Sequence, residues 1–458
     1  MLPDVALLEL FEFYVDELEA WIEAWRWHTL VHVCQKWRNV VFGSPRRLRL
    51  QLFCHHWTPV RKTLDVWPDL PIVIRDIPFE TWVDDVSNIV AALEHNNRIL
   101  GFELVHLEKF STSQMEAVLV AMQQPFPTLT RLKLRFEPNT SLIVPPSFLG
   151  GSAPCLRELR LDYFPFPGLP KLLSSATHLV TLDLLEIPHS GYISPEAMVT
   201  CLSVLTRLRR LRIKFESPRI RPDRRHPPPP TRTLLPVLTG FKFKGVSEYL
   251  EDLVARIDAP RLNSLSITLF HQLILDTPRL TQFISRTPNF EAHDKARVSF
   301  FNRSVSVALP QRNLYLKISC SQLDWQVSSI AQVCNSESSF PQALISAVGR
   351  LYIFESSRYG FLDGQDGIEN SQWLELFHPF TGVKGLYIPS KLTGRIAPAL
   401  QELVGERSTE VLPTLQTLFL TRNSLLDKRA QKAITQFVAA RRLAGHPIAV
   451  STWREKWF

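Results

Sequence analysis

Strings of the form Leu-x-x-Leu-x-Leu recur along most of this chain, and that repetition restricts its fold more than any other feature. Clear copies are Ile99-Leu100-Gly101-Phe102-Glu103-Leu104, Leu129-Thr130-Arg131-Leu132-Lys133-Leu134, Leu156-Arg157-Glu158-Leu159-Arg160-Leu161 and Leu179-Val180-Thr181-Leu182-Asp183-Leu184. Further copies start at Leu208, Leu238, Leu262 and Leu415. Apolar residues two apart, with a polar residue between them, describe a strand with one buried face. Helical segments stand in front of several strings, at Ser113 to Met122, Pro195 to Leu202 and Ser247 to Arg256. Helix, turn with proline, strand is therefore the unit. One such unit cannot bury its own apolar face, so neighbours must stack.

From Ile99 to Leu262 successive strings start 23 to 30 residues apart. This resembles the leucine-rich repeat, whose period is roughly 20–29 residues, and the resemblance implies an α/β solenoid of horseshoe type. The asparagine that usually closes the consensus is mostly absent here. Between residues 281 and 345 the period fades, although Val298-Ser299-Phe300, Val305-Ser306-Val307 and Leu314-Tyr315-Leu316 still alternate like strands. Leu351-Tyr352-Ile353 and Leu386-Tyr387-Ile388 resume it, so the C-terminal part is expected to be an irregular continuation. A helix near 428–444, ended by Gly445 and Pro447, would cap the array.

The N-terminus carries a different pattern. Pro3 suits the first turn of a helix, and Asp4 places a carboxylate at the positive end of its dipole. Leu7, Leu8, Phe11 and Val15, and then Leu30, Val33, Cys34, Trp37 and Val41, recur at three- and four-residue intervals, giving two short amphipathic helices. Helices this short do not persist alone. Seven of the eleven tryptophans lie in the first 82 residues, so composition shifts near Trp82. Strand-like runs at 47–52 and 70–74 fall before that point.

The order Leu2-Pro3, Leu7-Leu8, Leu10-Phe11 and then Val33-Cys34-Gln35-Lys36-Trp37-Arg38 resembles the F-box. The longer text through Trp67-Pro68-Asp69-Leu70-Pro71-Ile72 is similar to the F-box proteins that mushroom-forming fungi carry in large families. Val5 stands where that family usually has an acid, and residues 16–25 lengthen the link between the helices. The resemblance implies an all-α F-box at 1–45, a linker with strands at 46–95 and the leucine-rich-repeat-like solenoid at 96–458. It also implies that Leu2, Pro3, Leu7, Leu8, Phe11, Val33 and Trp37 lie in or beneath a contact with a Skp-type adaptor and, through it, a cullin.

The net charge of +8 is concentrated. From Leu205 to Arg232 there are ten Arg or Lys against two acids, and the rest of the chain is neutral. Within that segment the loop at 217–232 holds Arg219, Arg221, Arg224 and Arg225 ahead of four consecutive prolines, so it is expected to be extended. Such a loop is either a solvated insertion or a contact for phosphates or an acidic partner. It lacks aromatic residues for base stacking, which argues against nucleic acid.

No catalytic signature has the right spacing, and the chain is expected not to be an enzyme and to need no cofactor or metal. Asp363-Gly364-Gln365-Asp366-Gly367 lacks calcium-loop spacing, and Cys54-His55-His56 has no second ligand pair nearby. Six scattered cysteines indicate buried thiols in a reducing compartment. The N-terminus does not resemble a signal peptide, and no stretch is long and apolar enough to span a membrane. The expected location is cytoplasm or nucleus. The F-box resemblance, together with the repeat array, implies a substrate-recognition subunit of a Skp–cullin–F-box ubiquitin ligase that holds a protein target. A scaffold that binds Skp without delivering a substrate, or binding of an acidic or nucleic-acid partner by residues 205–232, are the alternatives.

Overall fold

The computed structural model describes residues 2–16, 27–43, 50–54, 60–66, 70–75, 85–104, 110–136, 138, 142–218, 231–270, 277–290, 294–301, 304–309, 314–319, 342–355, 368–421 and 428–454. The chain divides into two units, Met1–Ile193 with Thr200–Arg212, and Ser194–Val199 with Ile213–Phe458.

Unit 1 opens with three helices, α1 (Asp4–Asp16), α2 (Trp27–Val33) and α3 (Gln35–Gly43). Strands and helices follow: β1 (Leu50–Phe53), α4 (Val60–Val66), β2 (Ile72–Arg75), α5 (Val86–Leu93), β3 (Ile99–Leu104), α6 (Thr112–Ala121), β4 (Arg131–Arg135), β5 (Glu158–Asp162), α7 (Leu169–Ser175) and β6 (Thr181–Ile187). The strands pair parallel in chain order from β1 to β6. The segment expected as a linker, 46–95, thus supplies two strands of the same parallel ladder as the repeats. The unit boundary falls within α8 (Pro195–Val204) and β7 (Arg210–Phe215).

Unit 2 contains β8 (Thr233–Leu234), β9 (Gly240–Gly245), α9 (Ser247–Val254), β10 (Ile257–Asp258), β11 (Ser264–Phe270), α10 (Pro278–Ser285), β12 (Lys295–Phe301), β13 (Ser304–Leu309) and β14 (Leu314–Ser319). It continues with α11 (Gln342–Ser346), β15 (Arg350–Glu355), α12 (Asn370–Phe377), β16 (Gly385–Ile388), α13 (Ser390–Gln401), β17 (Thr417–Thr421), α14 (Lys428–Leu443) and β18 (Ala449–Trp453). Its main sheet runs β9-β11-β14-β13-β12-β15-β16-β17-β18. Every pair is parallel except the two that β13 makes, with β12 and β14. An antiparallel excursion therefore occupies the stretch where the repeat fades: the chain turns back twice and places β14, not β12, beside β11.

Where a string opens with leucine, its strand begins two residues after that leucine; β3 begins on Ile99 itself. That leucine is still in a turn, its N–H closing on the carbonyl three residues earlier: Leu129 on Phe126, Leu156 on Ala153, Leu179 on Ala176, Leu262 on Ala259 and Leu415 on Leu412, at 3.0–3.2 Å. The next carbonyl then joins consecutive repeats by accepting two successive N–H groups. Thr130 accepts from Arg157 (2.8 Å) and Glu158 (3.0 Å), and Arg157 accepts from Val180 (2.8 Å) and Thr181 (3.0 Å). In unit 2, Lys384 accepts from Gln416 and Thr417, both at 2.9 Å. The remaining string positions, such as Leu132, Leu134, Leu159, Leu161, Leu418 and Leu420, are buried, each worth about 2 kcal/mol of transfer free energy. Gly382 lies so close to the Ser346 carbonyl that a Cβ there would collide with it.

Candidate functional site

The first three helices divide their apolar residues between a core and a surface. Leu7, Leu8 and Phe11 on α1 are buried with Leu30, Val31, Val40 and Val41. Trp37 is half-buried and tilts against Phe11, ring centroids 4.9 Å apart. Leu2 and Val33 are 53% and 57% exposed, and Pro3, next to Leu2 in sequence, is exposed too. The seven residues singled out from sequence thus fall into three exposed, three buried and one between.

Polar contacts hold the start of α1 to α3. The Lys36 ammonium donates to the Leu2 carbonyl at 2.9 Å and lies 3.4 Å from the Asp4 carboxylate. The Arg38 guanidinium donates to the Val31 carbonyl at 3.0 Å. A groove of about 500 Å³ runs beside Asp4, Gln35, Lys36, Asn39, Val40 and Gly43. Sequence reasoning passed over Val5 and Leu10 as surface residues, although both are more than half exposed. At about 100° per residue both lie roughly 110° around the helix from the centre of the Leu7, Leu8 and Phe11 stripe.

The sheet faces carry the other concentrations of chemistry. On unit 1, charges alternate across β3, β4 and β5 and neutralise one another. Arg131 lies 3.4 Å from Glu103 and 2.9 Å from Glu158, and Lys133 lies 3.6 Å and 3.2 Å from the same two carboxylates. Arg160 approaches Asp162 at 3.5 Å, and Arg212 approaches Asp183 at 3.3 Å. Burial raises the Asp162 and Asp183 carboxyls above the ordinary aspartate value, outweighing the arginines that pull them down.

On unit 2 the corresponding positions of β15 to β17 are aromatic, and Trp453 of β18 joins them from two residues further along its strand. Tyr352 stacks on Tyr387 at 4.2 Å, and Tyr387 stacks on Phe419 at 4.3 Å with planes 3° apart. Trp453 stands edge-on to Tyr387 at 5.5 Å and to Phe354 at 6.2 Å. The Arg297 guanidinium lies over the Phe354 ring at 4.5 Å. Burial, then the neighbouring Tyr387, pushes the Tyr352 hydroxyl up to about 12, so it stays protonated. The signal for this ladder was present in Leu351-Tyr352-Ile353, Leu386-Tyr387-Ile388 and Leu418-Phe419-Leu420, where the middle residue alternates away from the core.

No family model matches the chain, and no curated protein matches it. Among solved structures it is similar to the leucine-rich repeat-containing protein LegL7 from Legionella pneumophila, at 13% identity over 85% of this chain and 97% of that one, with a TM-score of 0.29. The α/β repeat architecture stands on this chain's own ladder, with its parallel strands and recurring turn carbonyls.

Arg219, Arg221, Arg224 and Arg225, together with His55, His56 and 363–367, lie outside the described residues. Part of the basic segment is described, and it is engaged locally: Arg212 with Asp183, and Arg207 with the His178 ring at 2.9 Å. Among the described residues no cluster of three or more His, Cys, Asp or Glu could hold a metal ion, and no helix is long and apolar enough to cross a membrane.

Proposed function

We propose that this protein is the substrate-recognition subunit of a Skp–cullin–F-box ubiquitin ligase, its first three helices docking a Skp-type adaptor and, through it, a cullin, while the repeats hold a protein target. The observation that carries the reading is the separation within those helices. Leu7, Leu8 and Phe11 form a core under Trp37, while Leu2, Pro3 and Val33 remain apolar and exposed. Exposed apolar residues on a small helical module whose core is already filled support its reading as an interaction surface. The repeats would act by proximity, raising the effective concentration of a bound target near the ubiquitin-conjugating machinery.

The test is co-purification of the full chain with a Skp adaptor. A stoichiometric complex that survives gel filtration is the expected result, and its absence would remove the ligase assignment while leaving the repeats as an interaction scaffold.

A further inference from the structure

The sheet of unit 2 ends on β18, and three properties of that end describe what would cover it. The first is an unprotected edge. Among the described residues β18 pairs with β17 alone, in an unbroken register from Ala449 on Thr417 to Trp453 on Thr421. Natural edge strands are commonly blunted by charge, proline or a bulge, and Ala449-Val450-Ser451-Thr452-Trp453 has none of these. The Ala449 N–H donates to the Gln416 carbonyl at 2.8 Å, so by alternation Val450 and Thr452 turn their backbone N–H and C=O groups away from β17. The second property is a core row that runs out. Leu351, Leu386 and Leu418 are in register and buried, whereas Val450, the next in the row, is 49% exposed. Each unit of a repeat array packs on its neighbours, and among the described residues this last row has no following unit.

The third property is an aromatic ladder that stops with a face open. Tyr352, Tyr387 and Phe419 stack across β15, β16 and β17, and the next residue in register is Ser451, which is exposed. Trp453 does not fill that place. It turns back over Tyr387, Tyr352 and Phe354, at 5.5, 6.1 and 6.2 Å, and its indole N–H donates to the Ile388 carbonyl at 3.4 Å. Among the described residues Phe419 meets one ring, that of Tyr387, so its other face looks over a serine.

These properties select the occupant. Outward N–H and C=O groups suit an extended strand, the open Phe419 face suits an aromatic side chain on the Ser451 side, and Val450 suits an aliphatic one on the opposite side. An added strand lies two strand spacings, about 10 Å, from β17, and the small serine leaves the space between for a ring to lean into. A second copy of the chain lacks that ring. Pairing antiparallel about Ser451, it would set serine against serine, and it would bring together two α14 helices whose Lys428, Lys432 and Arg442 are exposed and whose sequence holds no acid. We propose that β18 is a docking edge for an extended segment of a protein partner, which adds a strand beside Val450 and Thr452 and places an aromatic side chain over Ser451 against Phe419. The inference deepens the reading of the repeats as the part that holds a protein target, and it is independent of adaptor docking.

Fluorescence anisotropy on the full chain tests it. The probe is a labelled synthetic peptide with phenylalanine at its centre, flanked on each side by valine, threonine and glutamate. One comparison peptide has serine in place of the phenylalanine, and another has every backbone amide N-methylated. The probe should bind, the serine peptide should bind roughly tenfold more weakly, and the N-methylated peptide should not bind, having no donors for the edge. Thr452→Pro removes an outward N–H and leaves the β17 ladder in place, and it should weaken binding by roughly tenfold or more. Ser451→Trp fills the space beside Phe419 with the chain's own ring and should abolish the preference for phenylalanine over serine. Unchanged melting curves establish that each variant is folded, and if Thr452→Pro does not fold, Ser451→Trp decides alone. Absence of binding, equal binding of the phenylalanine and serine peptides, or binding that neither variant alters overturns the proposal. A dimer of the full chain that Thr452→Pro dissociates overturns it in favour of a second copy. Stronger binding after removal of residues 455–458 overturns it in favour of the chain's own terminal residues. Peptide binding by a chain that captures no Skp adaptor removes the ligase reading and supports this one, whereas adaptor capture without peptide binding does the reverse.

Discussion

The Glu251 carboxylate in α9 accepts the backbone N–H of Leu280, at the start of α10, at 2.8 Å. Its second oxygen accepts the N–H of Arg279 at 2.9 Å, so a buried acid of one helix satisfies two first-turn donors of the next. Beside it, Asp252 lies 2.7 Å from the Arg279 guanidinium and 3.8 Å from that of Arg256, which reaches Glu196 at 3.2 Å. Consecutive helices are thus joined by capping as well as by apolar packing. Glu251→Ala should destabilise the protein by about 1–2 kcal/mol, the range for loss of a helix cap. Urea unfolding read by far-ultraviolet circular dichroism would measure it, and a variant as stable as the parent would refute the capping role.

Arg441 is buried completely in α14, and its guanidinium donates to the carbonyls of Ser408 (2.8 Å), Pro413 (3.2 Å), Leu412 (3.3 Å) and Leu415 (3.3 Å). These carbonyls belong to the turn that leads into β17. Arg441→Ala should cost about 3 kcal/mol or more, because the buried acceptors lose a charged donor, and Arg441→Lys should restore only part of it because an ammonium lacks the planar fork. A thermal melt comparing the three proteins decides the point.

Exposed and buried residues of the first three helices should behave differently. Leu2→Asp together with Val33→Asp should abolish capture of a Skp adaptor without lowering the melting temperature. Phe11→Ala should lower stability by about 3 kcal/mol through the cavity it leaves. Adaptor capture unaffected by the double variant would show that the docking face lies elsewhere.

The Asp183 carboxyl is raised above its ordinary value, so the folded protein holds this proton more tightly than the unfolded chain does. The stability this supplies is complete below the ordinary aspartate value of about 3.9 and is lost as pH rises through the shifted one. Asp183→Asn has no such proton. Relative to the parent it should gain stability as pH rises from about 4, measured as the difference in urea midpoints, and a difference that is flat with pH would contradict the burial argument.

Thiol labelling should divide the cysteines by environment. Burial pushes the Cys201 thiol up to about 11, and Cys54 is also buried, whereas Cys34 and Cys155 are exposed. Peptide mapping after brief maleimide treatment at neutral pH should find Cys34 and Cys155 modified and Cys54 and Cys201 protected until the protein is unfolded.

The leucine strings identified the repeating strands because alternation is a local property. The positions two apart that were marked as apolar, such as Leu159 with Leu161 and Leu265 with Ile267, are buried. Where a string opens with leucine it misplaced the strand's start by two residues, since that leucine has the same hydropathy as the others while its N–H closes a turn; β3 starts on Ile99, the first residue of its string. The excursion of β12, β13 and β14 was legible as three strands but not as an antiparallel reversal. Strand direction depends on which partner the chain meets, and alternation within a strand is the same in either case.

For the functional surfaces the division is similar. Sequence determined which residues are apolar at the N-terminus and which middle positions of the strings are aromatic or basic. Only the tertiary structure decided that Leu2 and Val33 stay outside while Phe11 goes inside, and that Tyr352, Tyr387, Phe419 and Ser451 share one face. Those four residues are separated by as much as 99 positions in the chain. Their alignment follows from the register of parallel strands, which is set by hydrogen bonds between repeats and cannot be computed from any one of them.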